Sequence, residues 1–323
     1  MSVLAVHQLR KVFGDVVAVD DLSFTVDAAG VTGFIGHNGS GKSTTMNLVM
    51  GLLRPTAGEV RVFGDVVDAQ RPSQRKQVGF LPQQVHLLPW MTAREVLQHV
   101  AELCGLPARQ RKDTAADLLT RVGLPDDAHD RRVGGFSGGM RQRLGLAQAL
   151  VGAPQLLLLD EPVAALDPQG RKDVLELLAE LGQDIPVLMS SHILDDVERI
   201  CSHLVGLHRG QLVLQGATQD LLHDDGGVLR LVIGGFAPEQ RAALSTSLLD
   251  DIDAILAVDV VEEAPAAQAV FDLHVQSHDL VARALPAWLQ TQGLSLYSLV
   301  HRRRTLEDVF LQLGDVDTSE EAA

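Results

Sequence analysis

Between a short apolar run ending at Ile35 and the stretch TTMNLVMGLL lies GHNGSGKST, Gly36 to Thr44. Glycines 36, 39 and 41 let the backbone fold tightly, so that successive amides and the start of the following helix can point at phosphate oxygens. Lys42 adds a mobile positive charge for terminal phosphates. Ser43 offers a hydroxyl to magnesium, which bridges and neutralises the same phosphates. His37, Asn38, Ser40 and Thr44 complete a phosphate-loop pattern in its strand-to-helix context. Farther on, LLLLDEP sets Asp160 and Glu161 at the carboxyl end of a wholly apolar run. Asp160 is expected to hold magnesium through water, and Glu161 to orient and partly deprotonate the water attacking the terminal phosphate. Alone, such an acidic pair could cap a helix or turn; beside a phosphate loop the catalytic reading takes precedence.

These groups need a scaffold that presents them on one edge. Apolar runs at Val31 to Ile35, Val78 to Leu81, Leu156 to Leu159, Val187 to Ser190 and Leu204 to Leu207 alternate with amphipathic stretches, the pattern of a parallel sheet covered by helices. Leu4 to Leu9, Leu22 to Val26 and Glu59 to Phe63 alternate more strongly and predict a smaller antiparallel sheet. The polar text HDDGG suggests a boundary near residue 224. Beyond it, strand patterns at Val228 to Ile233, Ala257 to Val261, Val270 to Val275 and Leu296 to Val300 interleave with helical patterns at Pro238 to Leu249 and Asp279 to Gln292. That order matches a split ferredoxin-like unit. A last helix is predicted over Thr305 to Leu313, then a disordered acidic tail. The expected partition is therefore 1–224, with a helical subdomain at about 87–153, then 225–315 and a tail at 316–323.

Composition narrows the class. With 46% hydrophobic and 21% charged residues the chain is globular. No apolar run of about 18 residues is present, so no spanning helix is predicted, and the first residues lack a secretion signal. A net charge of -15 disfavours broad nucleic-acid binding. Cys104 and Cys201 are too few for a disulfide framework and are expected to be buried thiols.

FSGGMRQRLGLAQAL, Phe136 to Leu150, resembles the signature sequence of ATP-binding cassette (ABC) proteins. Ser137, Gly138 and Gly139 can place a hydroxyl and bare amides at a helix start, a second anion site that one nucleotide does not need. The resemblance implies a head-to-tail dimer enclosing two ATP molecules, each between one copy's Lys42 loop and the other's Ser137 segment. It covers about residues 4 to 220. It implies that Gln83 senses magnesium and attacking water, that His192 contacts the terminal phosphate, that Asp167 in AALDP links the dimer halves, and that Phe13 stacks on adenine. Singly, Gln83 reads as a solvated loop residue, His192 as a strand-end structural histidine and Phe13 as core. Phe136 for leucine, Met140 for glutamine, Phe13 for tyrosine and Val163 for threonine or serine depart from the family pattern without removing a catalytic group.

The expected fold class is accordingly α/β, a P-loop NTPase of ABC type with a small C-terminal α+β domain. Repair and chromosome members of the family carry a very long coiled coil, and translation members two cassettes; here fewer than about a hundred residues separate phosphate loop and signature, and one cassette is present. That favours a transporter subunit over a soluble ATPase acting on nucleic acid or ribosomes. RRRTLEDVFLQL, Arg302 to Leu313, resembles the closing motif of drug, antibiotic, lipid or ion exporters with a separate six-helix permease, whereas importer cassettes more often end in small β-barrels. Expected partners are that permease and a second cassette, identical or paralogous, at the cytoplasmic face of the membrane, with ATP and Mg2+ as ligands and no nucleic acid. The groove for the permease would include Leu87 to Gly105, where Trp90 and Met91 either meet it or pack the subdomain core.

Overall fold

The computed structural model describes residues 2–27, 29–68, 70–222, 227–237, 240–261, 268–302 and 305–309. Chain contacts divide it into two compact units, Met1–Thr218 and Gln219–Ala323. The predicted linker residues 224–226, the tail 316–323, Arg303, Arg304 and the continuation of the last helix from 310 to 313 lie outside the described residues.

The first unit runs β1 (Ser2–Phe13), β2 (Val16–Asp27), β3 (Val31–Ile35), α1 (Lys42–Val49), β4 (Ala57–Val62), β5 (Asp65–Val66), β6 (Val78–Leu81), α2 (Ala93–Leu103), α3 (Ala108–Arg121), α4 (Gly138–Leu150), β7 (Leu156–Asp160), α5 (Pro168–Asp184), β8 (Val187–Ser191), α6 (Leu194–Ile200), β9 (His203–His208) and β10 (Gln211–Ala217), with α7 (Thr218–Leu222) at the division. Its main sheet has the order β10-β9-β3-β8-β7-β6. Within it β6, β7, β8, β3 and β9 are parallel and β10 is antiparallel. Every residue of β3, β7 and β8 is buried, as continuous apolar runs require in a sheet covered on both faces.

A second, antiparallel sheet has the order β2-β1-β4-β5. Leu4, Leu9 and Phe24 from it share one core with Met46 of α1 and with Phe34, Leu158 and Leu188 of the parallel sheet. The phosphate-loop helix is thus clamped between two sheets. Helices α2, α3 and α4 form the predicted helical portion around buried Leu97, Leu119 and Leu144. A capping box opens α2: the Thr92 side chain accepts from the Glu95 amide, and the Glu95 carboxylate accepts from the Thr92 amide.

Two expectations need correction. Cys201 is buried but Cys104 is exposed. The buried positions of α2 are Ala93, Val96, Leu97 and Ala101, and Cys104 caps the helix beyond them, where the chain turns outward. Strand β10 was not predicted: QLVLQGA pairs at the sheet edge, with a register shift between Leu212 and Leu214 that breaks its alternation.

In the second unit β11 (Val228–Gly234), α8 (Arg241–Asp251), β12 (Ile255–Val261), β13 (Gln268–Val275), α9 (His278–Gln292) and β14 (Ser295–Arg302) follow one another, and residues 306–309 are helical. The sheet order is β12-β13-β11-β14 with all neighbours antiparallel, the split βαβ arrangement of a ferredoxin-like unit. Leu231, Ile233, Phe271 and Leu273 of the sheet pack with Leu248 of α8 and Val281, Leu285 and Trp288 of α9 in a separate core.

Candidate functional site

The phosphate loop leaves the carboxyl end of the fully buried β3 and feeds α1, whose N-cap is Gly41 at φ 103°. Gly36 has φ 151°, and a Cβ there would strike the Leu207 carbonyl. A Cβ on Gly41 would lie 2.6 Å from the Ala18 carbonyl. Both glycines are therefore required by close backbone approach as well as by dihedral angle.

The Lys42 ammonium folds over the loop, donating to the carbonyls of Gly36 at 2.6 Å and His37 at 3.0 Å. Burial pushes its pKa below the usual lysine value, and the Glu161 and then Asp160 carboxylates oppose that shift. Ser40 is fully buried, and its hydroxyl has no hydrogen-bond partner.

Asp160 ends β7, and Glu161 follows at φ 53°, a left-handed conformation uncommon outside glycine. Both carboxylates are buried, at 4% and 5% exposure. Ser190 of β8 donates its hydroxyl to Asp160 Oδ1 at 2.6 Å and accepts the Glu161 amide at 2.9 Å. Gln142 of α4 donates its amide to the Glu161 carbonyl at 3.2 Å. His192 Nδ1 lies 2.9 Å from Glu161 Oε2, so the histidine expected at a strand end reaches the acidic pair.

One cavity of about 260 Å³ gathers Asn38, Gly39, Gly41, Lys42, Ser43 and Thr44 opposite Gln83, Asp160 and Glu161, with Ala18 on its wall. Gln83 is an exposed loop residue and a cavity-lining one at once. Among the described residues no cluster of three or more His, Cys, Asp or Glu could hold a metal. One hydroxyl and one carboxylate, Ser43 and Asp160, nonetheless fit magnesium, which takes few protein ligands when phosphates and water fill the rest.

The remaining predicted residues stand apart from that cavity. Ser137 caps α4, accepting the Met140 amide at 3.2 Å. A Cβ on Gly139 would come 3.1 Å from Leu166, so the signature turn rests against the loop that carries Asp167. Asp167 caps α5 through the Gly170 amide at 2.9 Å. Phe13 is 46% exposed near the end of β1 and is not core. Val163 and Phe136, the departures from the family pattern, are buried at 2% and 4%. Ser190 and Gln142 escaped the sequence reading; the signal available for Ser190 was a serine pair closing an apolar run, and for Gln142 there was none.

The ABC transporter family matches residues 19–164. The ABC transporter ATP-binding protein YxlF of Bacillus subtilis, itself uncharacterized, is 35% identical over 96% of this chain and 99% of its own length. The chain belongs to the ABC transporter family. Within it, this chain is an ATP-binding subunit that hydrolyses ATP to drive transport. The Nod factor export ATP-binding protein I of Ralstonia nicotianae is 33% identical over 96% of this chain and 93% of that protein. Among solved structures, a dimeric ATP-binding cassette in a post-hydrolysis state with ADP and Pi superposes with a TM-score of 0.62. It covers 67% of this ABC chain and 98% of its own, at 24% identity, a likeness of fold.

Proposed function

We propose that this subunit drives export through a separate membrane permease, with Lys42 and Glu161 as the central groups of its hydrolytic site. The observation that carries the reading is the single cavity in which the Lys42 loop faces the Asp160 and Glu161 carboxylates. Export is supported by the Nod factor export relative, which this chain matches over nearly its whole length. Among the described residues no helix is long and apolar enough to cross a membrane, which agrees with peripheral attachment at the cytoplasmic face.

The phosphates of ATP are bound by the amides of residues 36 to 44 and by Lys42, whose ammonium exchanges loop carbonyls for phosphate oxygens. Magnesium, held by Ser43, Asp160 and the sensing Gln83, would supply charge neutralisation on those phosphates. Glu161 orients and partly deprotonates the attacking water, with His192 beside it to contact the terminal phosphate. The Ser137, Gly138 and Gly139 turn of one cassette grips the nucleotide bound to the other, and Asp167 links the halves. Shifting such a pair from mostly open to mostly closed takes about 5.5 kcal/mol of differential binding, a demand two nucleotides can meet. Trp90, 65% exposed, offers an apolar contact to the permease. The first unit is then the nucleotide-binding domain and the second an accessory one.

Glu161→Gln tests the assignment. It keeps the side chain's size but removes the base, so ATP binding is retained, turnover falls to near background, and size-exclusion chromatography in ATP shows a trapped dimer. Undiminished turnover would refute the role.

A further inference from the structure

Lys11 has no part in the site as described, yet its ammonium stands 4.8 Å from the centroid of the Phe13 ring. It also donates at 2.8 Å to the carbonyl of Arg54, in the segment that follows α1. The two residues lie two apart on β1, so both side chains leave the same face of the strand. A ring has two faces, and the ammonium covers one while Phe13 as a whole stays 46% exposed. Neighbouring bonds fix the same junction: the Thr56 amide donates to the Arg10 carbonyl at 2.8 Å, and the Val12 amide to the Thr56 hydroxyl at 3.1 Å.

We propose that Lys11 is a positioning residue for the adenine base, backing the Phe13 ring on one face so that the purine stacks on the other. The proposal rests on the reading of Phe13 as the base platform. A cation held over a ring face is attracted by the ring quadrupole and removes rotamer freedom from the aromatic side chain. Less ordering is then left to be lost when the base arrives. Withdrawal of π density toward the ammonium also makes the far face a better partner for an electron-rich purine. Because Lys11 is anchored on the Arg54 carbonyl, the base platform is tied to the segment that follows α1, whereas the phosphate loop precedes that helix.

The test compares ADP, which carries the base, with inorganic pyrophosphate, which does not, by calorimetry on the full chain. Lys11→Met should weaken ADP binding about threefold and leave pyrophosphate binding unchanged. Lys11→Arg keeps a cation over the ring and should restore ADP affinity. Unchanged or tighter ADP binding by Lys11→Met overturns the proposal, as does an equal loss for pyrophosphate, which would mark a general charge effect. Phe13→Ala separates the two levels. Loss of ADP affinity alone in that variant, with no further effect of adding Lys11→Met, supports the stacked pair. If Phe13→Ala leaves ADP binding intact, the stacking reading itself fails and Lys11 has no platform to back. If Phe13→Ala weakens ADP binding while Lys11→Met does not, the platform stands and only the role of Lys11 falls.

Discussion

Glu161 sits in a left-handed backbone conformation, φ 53°, which costs a non-glycine residue about 1–3 kcal/mol and persists only when its surroundings hold it. Here the holders are identifiable: Ser190 takes its amide and Gln142 its carbonyl. Ser190 also donates to Asp160, so one hydroxyl joins the Asp160 carboxylate to the Glu161 main chain. Ser190→Ala should cost about 1–3 kcal/mol of stability, because it leaves buried polar groups unpaired, and should lower kcat more than ATP affinity. Thermal melting and steady-state kinetics check this; wild-type turnover would remove Ser190 from the site.

Lys42→Ala should weaken ATP binding itself, measurable with a fluorescent analogue, and normal affinity would sink that assignment. The lysine also gives a pH signature. Its pKa in the nucleotide-free chain lies below 10.5 because burial disfavours the ammonium. Deprotonation therefore begins earlier as pH rises than in an unfolded chain, and the charged form is destabilising at lower pH, a cost relieved as pH rises from the lowered folded value to the unfolded one. Phosphates favour the ammonium, so ATP affinity should fall with rising pH in the alkaline range and binding there should take up protons. Calorimetry in buffers of different ionisation enthalpy reads that uptake, which should vanish in Lys42→Ala.

At the scale of elements, three helix starts bear the proposed site residues: α1 after Gly41, α4 after Ser137 and α5 after Asp167. Only the first opens on the cavity that holds the acidic pair. The other two are capped within the chain by Ser137, which accepts the Met140 amide, and by Asp167, which accepts the Gly170 amide. The proposed two-copy pocket assigns the Ser137 turn to the nucleotide of a second cassette. Replacing Ser137 and Gly138 together by bulky residues should leave ATP binding by the separate subunit intact while abolishing ATP-dependent dimerisation and turnover. Normal hydrolysis in the permease complex would dissolve the shared pocket.

At the scale of the molecule, the two units have separate cores, so damage to one should spare the other. Phe271 is fully buried in the ferredoxin-like core. Phe271→Ala should cost about 3–5 kcal/mol there, seen as an earlier denaturation phase, while ATP binding by the first unit persists. Simultaneous loss of binding would show that the units fold as one.

Much of this was legible in the sequence where the determining interactions are local. GHNGSGKST fixes its own loop, since its glycines, its lysine and its flanking strand and helix are contiguous. Strands β3 and β6 match their predicted ranges because each short run is bounded by breakers or polar residues, Gly30 and Gly36 for β3 and Gln77 and Pro82 for β6. The ferredoxin-like order was equally readable from alternation of strand and helix. What the sequence could not state is which side chain from one strand stands beside which from another. Ser190 meets Asp160 only because β8 lies next to β7 in the sheet, with Asp160 opposite Ser190 in register. Gln142 reaches Glu161 only because α4 packs against the same sheet, and Lys11 finds the Arg54 carbonyl only because the chain after α1 returns beside β1. Local steric preference wrote the loop and the strands into the text; long-range packing, which couples residues far apart along the chain, chose their neighbours.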